Sequence, residues 1–495
     1  MKVNIIHPTK ATLEGLDSQT IQKLTKELTY TNKNIFFQIT KFKKLGWLKR
    51  KDPDAFYERL EELKGKVSAC LLNVDGSQYW IRPGSVPYLD LDSIHNTISY
   101  PSMNAIPWKE APSFVPHDYQ LESVRRLLQV KHGNISLPTG SGKSFILLML
   151  AREMGLNTTI VTPSQSIFNE LLVEFTKRLG KKNVGGYGDG KKQLGKRITI
   201  AIGKSLTMLK PGTDAHRWFS EHQQAMEVDE SHTFGADQLE NVCHGVLANI
   251  PYRFFVSATQ TRNDGAEKRL HSIIGETVLE MSLSEAIQKK YLCPLNFMIY
   301  RTFSPSSLDI KDPIENKREH FLYNTNIADF YAKLANASWE VKQESSLILV
   351  EELRQITMLK DRLKVPFAYV HATKKKEDLR RWKLEKTNLQ EQVDKFNSGE
   401  VKVLVGTRCI ATGTNLFPTH NALNWVGGSS EIITKQGIMG RSTRILEKSD
   451  YAHLHKPKPF TRIVDCAVDK QPGQLAQLKK RISWYKEAGG EIRVI

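Results

Sequence analysis

From Gly133 onward the chain repeats one rhythm: a short apolar run, then a longer stretch with apolar residues at helical spacing. The runs are GNISL, TTIVT (Thr158–Thr162), ITIAI (Ile198–Ile202), QAMEV (Gln224–Val228) and RFFVS (Arg253–Ser257). Such alternation predicts parallel strands with helical crossovers on both faces of the sheet. The rhythm breaks at TFSPSSLDIKDPIEN (Thr302–Asn316), a polar stretch with two prolines that reads as a linker or exposed loop. It resumes with SLILV (Ser346–Val350), FAYVH (Phe367–His371), VKVLV (Val401–Val405), ALNWV (Ala422–Val426) and RIVDC (Arg462–Cys466). Two α/β units of similar size are therefore expected.

The first hundred residues differ. A basic segment flecked with aromatics, KFKKLGWLKRK (Lys41–Lys51), precedes the charged helical pattern DPDAFYERLEELKGK, and a proline-punctuated stretch runs from Arg82 to Trp108. This predicts a separate small α+β domain ending in a linker. A chain of 495 residues also exceeds the roughly 250–300 at which single cores stop growing. The expected division is 1–105, 106–300 and 301–495. No repeat of solenoid length and no low-complexity tract interrupts it.

Composition narrows the partners. Apolar content of 40% and charged content of 25% suit a folded chain. The formal charge of +18 suits an anionic polymer such as nucleic acid better than a small neutral substrate. An acidic membrane surface is the rival, but the longest apolar run, near FILLMLA (Phe145–Ala151), is far short of the roughly 20 residues a span needs. MKVNIIHPTK lacks the apolar middle of a signal peptide, so a cytoplasmic location is expected. The cysteines Cys70, Cys243, Cys293, Cys409 and Cys466 are scattered without paired spacing for zinc or redox work, and a reduced, structural role is expected.

The sharpest chemistry lies in LPTGSGKS (Leu137–Ser144), between the strand pattern ending at Leu137 and the apolar run Phe145–Leu150. The usual phosphate loop is Gly, four residues, then Gly-Lys-Ser/Thr; here Leu137 stands where the first Gly would be. In a strand-turn-helix setting the backbone N–H groups from Gly140 to Lys143 converge at a helix N-terminus, where they and the dipole attract phosphate. Lys143 would reach the β and γ phosphates and the Ser144 hydroxyl would ligate Mg²⁺. A plain glycine turn is the bland alternative. A Pro-Thr-Gly-Ser-Gly-Lys-Ser loop, with Thr139, Gly140, Ser141 and Gly142 in the cradle, resembles the version used by superfamily 2 helicases and translocases, where the residue at the head of the loop varies.

That resemblance extends through further boxes. VDESH (Val228–His232) resembles the family's Asp-Glu-x-His box, implying Asp229 for Mg²⁺, Glu230 as the base that orients water, and His232 as the link to the next motif. Glu227, inside the same run, predicts a strand more exposed or differently paired than usual. SAT (Ser257–Thr259) would bond the acidic box through Ser257 and Thr259; alone it reads as a helix cap. FVPHDYQ (Phe114–Gln120) resembles the adenine-recognition motif, with Gln120 on the base edge and Phe114 or Tyr119 stacking. QGIMGRSTR (Gln436–Arg444) reproduces Gln-x-x-Gly-Arg-x-x-Arg; on a helix Arg441 and Arg444 lie one turn apart on one face and would address the γ phosphate, with Gln436 beside them. VGTRCIATGTNL (Val405–Leu416) resembles the motif touching both nucleic acid and nucleotide, with Thr407 and Arg408 toward phosphate and Gly413 in the coupling turn. Asn415 replaces the usual Asp, leaving one ribose or interdomain hydrogen bond unaccounted for.

VTPSQS (Val161–Ser166) and AIGKSL (Ala201–Leu206) occupy the places of the family's backbone-gripping loops, implying contacts from Thr162, Ser164, Lys204 and Ser205; as isolated strings they are ordinary βα loops. The resemblance covers Phe114 to Arg444, plus RIVDC and the closing helix QLKKRISWYKEAG. It implies two tandem RecA-like parallel-sheet domains, ATP and Mg²⁺, and a translocase driven by closure of two units around the nucleotide. Within the superfamily, the compact build, short N-terminal domain and Asp-Glu-Ser-His box resemble the phage recombination and repair helicases that migrate branched DNA and regress forks. The implied partner is then forked, branched or single-stranded DNA, the implied state a monomer, and the implied location the cytoplasm of a bacterial host if the chain is phage-encoded. A DEAH-type RNA helicase shares every catalytic box, and an ATP-gated clamp that binds without travelling is the alternative from another class.

Overall fold

The computed structural model covers the chain apart from residues 32, 45, 66, 113, 235, 259–266, 374, 411–413 and 431, and apart from the side chains of Lys33, Asn34, Phe37, Trp47, Leu48, Ala236, Ile432 and Gln436. Two compact units are present, Met1–Leu137 with Gly142–Glu280, and Met281–Ile495 with Pro138–Ser141. The division expected near residue 300 thus falls between Glu280 and Met281. The strand Leu295–Thr302 pairs within the second sheet, so the chain changes units before the polar break that suggested the boundary.

The first unit contains an eight-stranded sheet in the order Lys191–Lys192, Val184–Gly188, Ile198–Ile202, Thr158–Thr162, Ala225–Asp229, Tyr252–Ser257, His132–Ser136, Glu276–Glu280. Every pairing is parallel except the short edge pair at Lys191–Lys192. Parallel strands covered on both faces need apolar side chains on both, which is why TTIVT and ITIAI read as unbroken runs. One face is filled by Val161, Met226, Val228, Phe255, Phe219 and Leu239. The helix Lys143–Met154 is buried along most of its length, consistent with its apolar sequence.

Strand order places function. Tyr252–Ser257 lies between Ala225–Asp229 and His132–Ser136, with Asp229 opposite Val256 and Ser257 opposite Ser136. Parallel alignment therefore delivers the loops after Ser136, Asp229 and Ser257 to one edge of the sheet, the edge at which α/β folds bind ligands.

The N-terminal region is the expected small α+β element. Its five-stranded mixed sheet runs Asn73–Asp75, Gln78–Ile81, Lys10–Glu14, Lys2–His7, Ser93–Asn96, and Leu24 and Leu28 of helix Ser18–Leu28 pack into its core. Helices Lys33–Lys43, Gly46–Lys51 and Pro53–Gly65 form an insertion rooted on the antiparallel pair Thr29–Thr31 and Ser68–Cys70. Its own small core joins Ile39, Phe56, Leu60 and Leu63, with Phe42 stacked on Phe56 at 4.9 Å. Lys41, Lys43, Lys44, Lys49, Arg50 and Lys51 are exposed on it.

This region is fastened to the first sheet's helices. Tyr88 donates to the Gly275 carbonyl at 3.1 Å and stacks on His271 at 5.0 Å, Arg82 pairs with Glu240, and Lys268 reaches the carbonyls of Glu27 and Thr29. Gly84 makes the approach possible, since a Cβ there would sit 2.4 Å from the Ser272 carbonyl oxygen.

The second unit is a seven-stranded, wholly parallel sheet: Phe367–Val370, Val403–Gly406, Ser346–Val350, Asn421–Trp425, Thr461–Val468, Leu295–Thr302, Ile492–Val494. Apolar clusters cover both of its faces. The polar stretch after Thr302 is irregular until the short helix Pro313–Lys317, as the prolines suggested. Among the described residues no helix is long and apolar enough to cross a membrane.

Gly84→Ala is expected to cost about 1–3 kcal/mol, because the new methyl meets backbone that cannot yield. Denaturant unfolding checks this; an unchanged midpoint would mean that the close approach is not part of the fold.

Candidate nucleotide-binding and hydrolysis site

The loop after strand His132–Ser136 begins with a bond from the Leu137 N–H to the Ser257 carbonyl at 2.9 Å. Leu137 is fully buried, which explains the residue at the head of the loop: its side chain belongs to the core. The turn runs through Pro138, Thr139, Gly140 and Ser141, with the Ser141 hydroxyl donating to the Pro138 carbonyl at 2.8 Å. Gly142 then caps the helix Lys143–Met154 at φ 77°. This glycine is required twice. Its backbone is left-handed, and a Cβ would lie 2.5 Å from Gln120 Nε2.

The first N–H groups of a helix have no acceptor within it, and the dipole adds positive potential there. Lys143 is buried beside them, its Nζ 3.3 Å from the Leu137 carbonyl and 3.5 Å from Glu230 Oε1. Ser144 occupies the first turn of the same helix. Gln120 is buried, and its amide oxygen accepts the His117 N–H at 2.9 Å. Phe114 is half exposed and packs on Phe145 with centroids 4.9 Å apart, whereas Tyr119 stacks on His117.

The acidic corner faces this loop. Asp229 ends its strand buried, and burial foremost, then the neighbouring Glu230, raise its carboxyl to about 7 against the opposing pull of Lys143. Glu230 adopts φ 46°, a left-handed conformation uncommon for a residue with a Cβ. Its N–H bonds Asp229 Oδ1 at 2.9 Å, and its second carboxylate oxygen lies 3.4 Å from His232 Nδ1. His232 Nδ1 is in turn hydrogen-bonded to Ser257 Oγ. Lys143, Glu230, His232 and Ser257 thus form one connected line. Thr259 and Gly413 lie outside the described residues.

Glu227 overturns the expectation of an exposed or irregular strand. It is fully buried in a strand paired on both sides, in regular register with Ile160 and Phe254. Neither carboxyl oxygen has a hydrogen-bond partner among the described residues. Burial first, then Asp229, push this carboxyl well above its ordinary range, so the fold accommodates it as the neutral acid.

The nucleic-acid candidates divide. Thr162, the last residue of its strand, is fully buried, with its hydroxyl 3.4 Å from the carbonyls of Ala201 and Ser164. The Ser164 hydroxyl caps helix Gln165–Leu179 by accepting the Ile167 N–H at 3.4 Å. Lys204 is exposed and Ser205 half-buried on the short helix Gly203–Thr207. In the second unit Thr407 is half-buried, its hydroxyl 3.4 Å from Cys409 Sγ. Arg408 is exposed and pairs with Glu351 at 2.7 Å. The sequence reading missed Glu351 and its neighbour Glu352, which receives Arg318 at 2.7 Å. An acidic pair directly after the run SLILV was the available signal.

The arginine segment differs from the expected continuous α-helix. Ile432–Met439 is a π-helix, followed by a single α-turn, Gly440–Ser442, so Arg444 lies beyond the helix end. Arg441 is buried and donates to the Thr414 carbonyl at 2.7 Å, while Arg444 lies over the Phe417 ring at 5.8 Å. Because the helix ends at Ser442, helical spacing does not put Arg441 and Arg444 on one face. The backbone at Gln436 lies within the π-helix; its side chain is outside the described residues.

Two parallel-sheet units, the first with the buried Lys143, Asp229 and Glu230 together at one edge of its sheet, define the class as tandem RecA-like. Residues 113–262 match the family described as type III restriction enzyme, res subunit, and residues 326–444 match the helicase conserved C-terminal domain. The chain is 26% identical over 374 residues to the DNA 3'-5' translocase XPB2 of Sulfurisphaera tokodaii, covering 67% of this chain and 79% of that protein. It is 23% identical over 367 residues to putative helicase 22 of a Sulfolobus islandicus filamentous virus, covering 69% of this chain and 64% of that protein's length. A fragment of a putative HsdR subunit of a type I restriction enzyme from Vibrio vulnificus superposes with a TM-score of 0.55 at 17% identity, over 79% of this chain and 70% of that one. The chain resembles the superfamily 2 helicases and translocases in domain order, fold and motif placement.

Because Glu227 is neutral in the fold and ionised when unfolded above its ordinary pKa, folding takes up a proton at neutral pH. Its contribution is complete at low pH and declines as pH rises toward its raised folded value, by about 1.4 kcal/mol per unit. Glu227→Gln keeps the shape and removes the titration. Its stability advantage over the wild type is expected to grow as pH rises above the ordinary carboxyl range in urea unfolding, and a difference that does not vary with pH would refute a neutral Glu227.

Proposed function

We propose that the chain is an ATP-dependent DNA helicase or translocase acting on forked, branched or single-stranded DNA. The observation that carries this reading is the buried line Lys143–Glu230–His232–Ser257 with Asp229 beside it, at the edge of the sheet where the phosphate-loop turn emerges. In this reading Thr139, Gly140, Ser141, Gly142 and Lys143 hold the triphosphate, and Gln120 reads the base. Asp229 and Ser144 are the Mg²⁺ ligands. The donor chemistry fits: burial and the neighbouring Glu230 disfavour the Asp229 carboxylate, and a cation bound there would favour it. Mg²⁺ also takes one or two carboxylates together with phosphates rather than a closed protein cage, and among the described residues no group of three or more His, Cys, Asp or Glu side chains is placed to hold a metal. When bound, the ion neutralises charge on the transferring phosphate.

The chain's own groups supply the rest. Glu230 orients water and accepts its proton, held by the left-handed turn at its backbone. His232 and Ser257, with Thr259 and Gly413, communicate the state of that carboxylate to the segments that follow. Gln436, Arg441 and Arg444 come from the second unit and make hydrolysis conditional on the two units closing around the nucleotide. Ser164, Lys204, Ser205, Thr407 and Arg408 take the sugar-phosphate backbone, with the exposed lysines of the N-terminal insertion (within 1–105) adding affinity without sequence preference. The relative XPB2, named as a DNA 3'-5' translocase, supports DNA as the polymer.

Lys143→Ala is expected to abolish nucleic-acid-stimulated ATPase, and Arg444→Ala to lower it about a thousandfold or more; wild-type turnover in either variant refutes the assignment. Stimulation by fork, four-way junction, single strand and RNA at one stated salt concentration identifies the polymer, since phosphate binding varies steeply with salt. Stimulation by RNA alone would overturn the DNA reading. Failure to displace a triplex third strand would replace the translocase with a non-travelling clamp.

A further inference from the structure

The segment that carries Arg441 and Arg444 is anchored at both ends by buried cations, Lys458 and Arg481, that belong to none of the nucleotide-binding boxes. At its entry, strand Asn421–Trp425 gives way to Gly427 and Gly428, both at positive φ. The Gly428 carbonyl accepts a hydrogen bond from Arg481 Nη1. Arg481, on the closing helix Pro472–Glu487, is 1% exposed. Its fork is held by Asp465, with Nε to Oδ2 at 2.6 Å and Nη2 to Oδ1 at 3.0 Å. Asp465 is completed by the Tyr485 hydroxyl at 2.7 Å and the Cys466 N–H at 2.8 Å. A buried carboxylate satisfied on all sides keeps the guanidinium charged and fixed in direction.

At the exit, the Ser442 carbonyl lies between the two arginines in sequence. It accepts from Lys458 Nζ at 3.1 Å and from the Thr461 hydroxyl at 2.7 Å. Lys458 is 2% exposed. One residue on, the Thr443 carbonyl accepts the Cys293 N–H at 2.7 Å. A buried lysine is costly unless its ammonium finds fixed acceptors, and here the acceptor is the peptide that sets where Arg444 leaves the helix. Neither Lys458 nor Arg481 falls within the residues matched by the helicase C-terminal family, which end at 444.

We propose that Lys458 and Arg481 are positioning residues for Arg441 and Arg444, fixing through main-chain carbonyls the two ends of the segment that presents those guanidinium groups. The inference rests on the reading that Arg441 and Arg444 act in ATP hydrolysis. It adds that the closing helix and the loop before strand Thr461–Val468 are part of the hydrolytic apparatus rather than only its scaffold. A misplacement of about 1 Å at a transition-state contact costs on the order of a hundredfold in rate, so anchors of this kind act on turnover more than on nucleotide binding.

The test uses the full chain with ATP and single-stranded DNA and three variants: Lys458→Met, Thr461→Val and Arg481→Lys. Arg481→Lys keeps a charge for Asp465 but lacks the fork needed to reach Gly428 as well. Each is expected to lower stimulated kcat by about ten- to a hundredfold while leaving KM for ATP within about twofold and the thermal midpoint close to wild type. Should Lys458→Met fail to fold, Thr461→Val and Arg481→Lys carry the test alone. Folded variants with wild-type kcat overturn the proposal, as does a loss of kcat that only tracks a lowered midpoint or a raised KM. Arg444→Ala, measured in parallel, separates the two claims: if it retains turnover, the function reading fails, whereas an inactive Arg444→Ala beside fully active anchor variants sinks the positioning claim alone.

Discussion

Burying ionisable groups is the constraint on which the first unit is organised. Lys143, Asp229 and Glu227 are all withdrawn from water in one unit, and Glu230 joins them at its margin. An isolated charge in such a place is costly by several kcal/mol, so each must be paired, neutralised or matched by a ligand. Two of these solutions are in place: Lys143 lies by Glu230, and burial favours the neutral acid at both Glu227 and Asp229. A parallel sheet makes this possible, because adjacent strands ending at one edge bring together groups that are far apart in sequence.

The second unit repeats the architecture with the opposite balance. Its buried charges are Arg481 with Asp465, Arg441 and Lys458, and most of their hydrogen bonds go to main-chain carbonyls. Carbonyls accept from a cation without needing a counter-charge, so they hold long side chains while leaving the net positive character intact.

Much of the fold was legible because parallel strands advertise themselves. TTIVT, ITIAI and SLILV coincide with strands of the same bounds, since β-branched residues buried on both faces leave no polar interruption. QAMEV and ALNWV are displaced by one residue, as expected where a polar residue and a strand end meet. Glu227 was misjudged because a carboxyl normally signals solvent, and only the three-dimensional environment shows that protonation removes the conflict. The helix over Gln436–Arg444 was legible as a helix, but neither its π-form nor its end at Ser442 was, because a π-turn leaves no fixed residue signature. Arg481 stood within the closing helix, but neither its role nor that of Lys458 was signalled by the sequence. Their partners are backbone atoms, and a carbonyl carries no letter in the sequence.

The root of the N-terminal insertion has a mechanical consequence. Its three helices hang from two short strands, and the strand Thr29–Thr31 is tied by Lys268 to helix Glu267–Ile274. That helix is the first described element after Ala258 along the chain. A load on the lysine-rich insertion is accordingly passed at its base to helix Glu267–Ile274, the next described helix along the chain from Ser257, whose hydroxyl is bonded to His232.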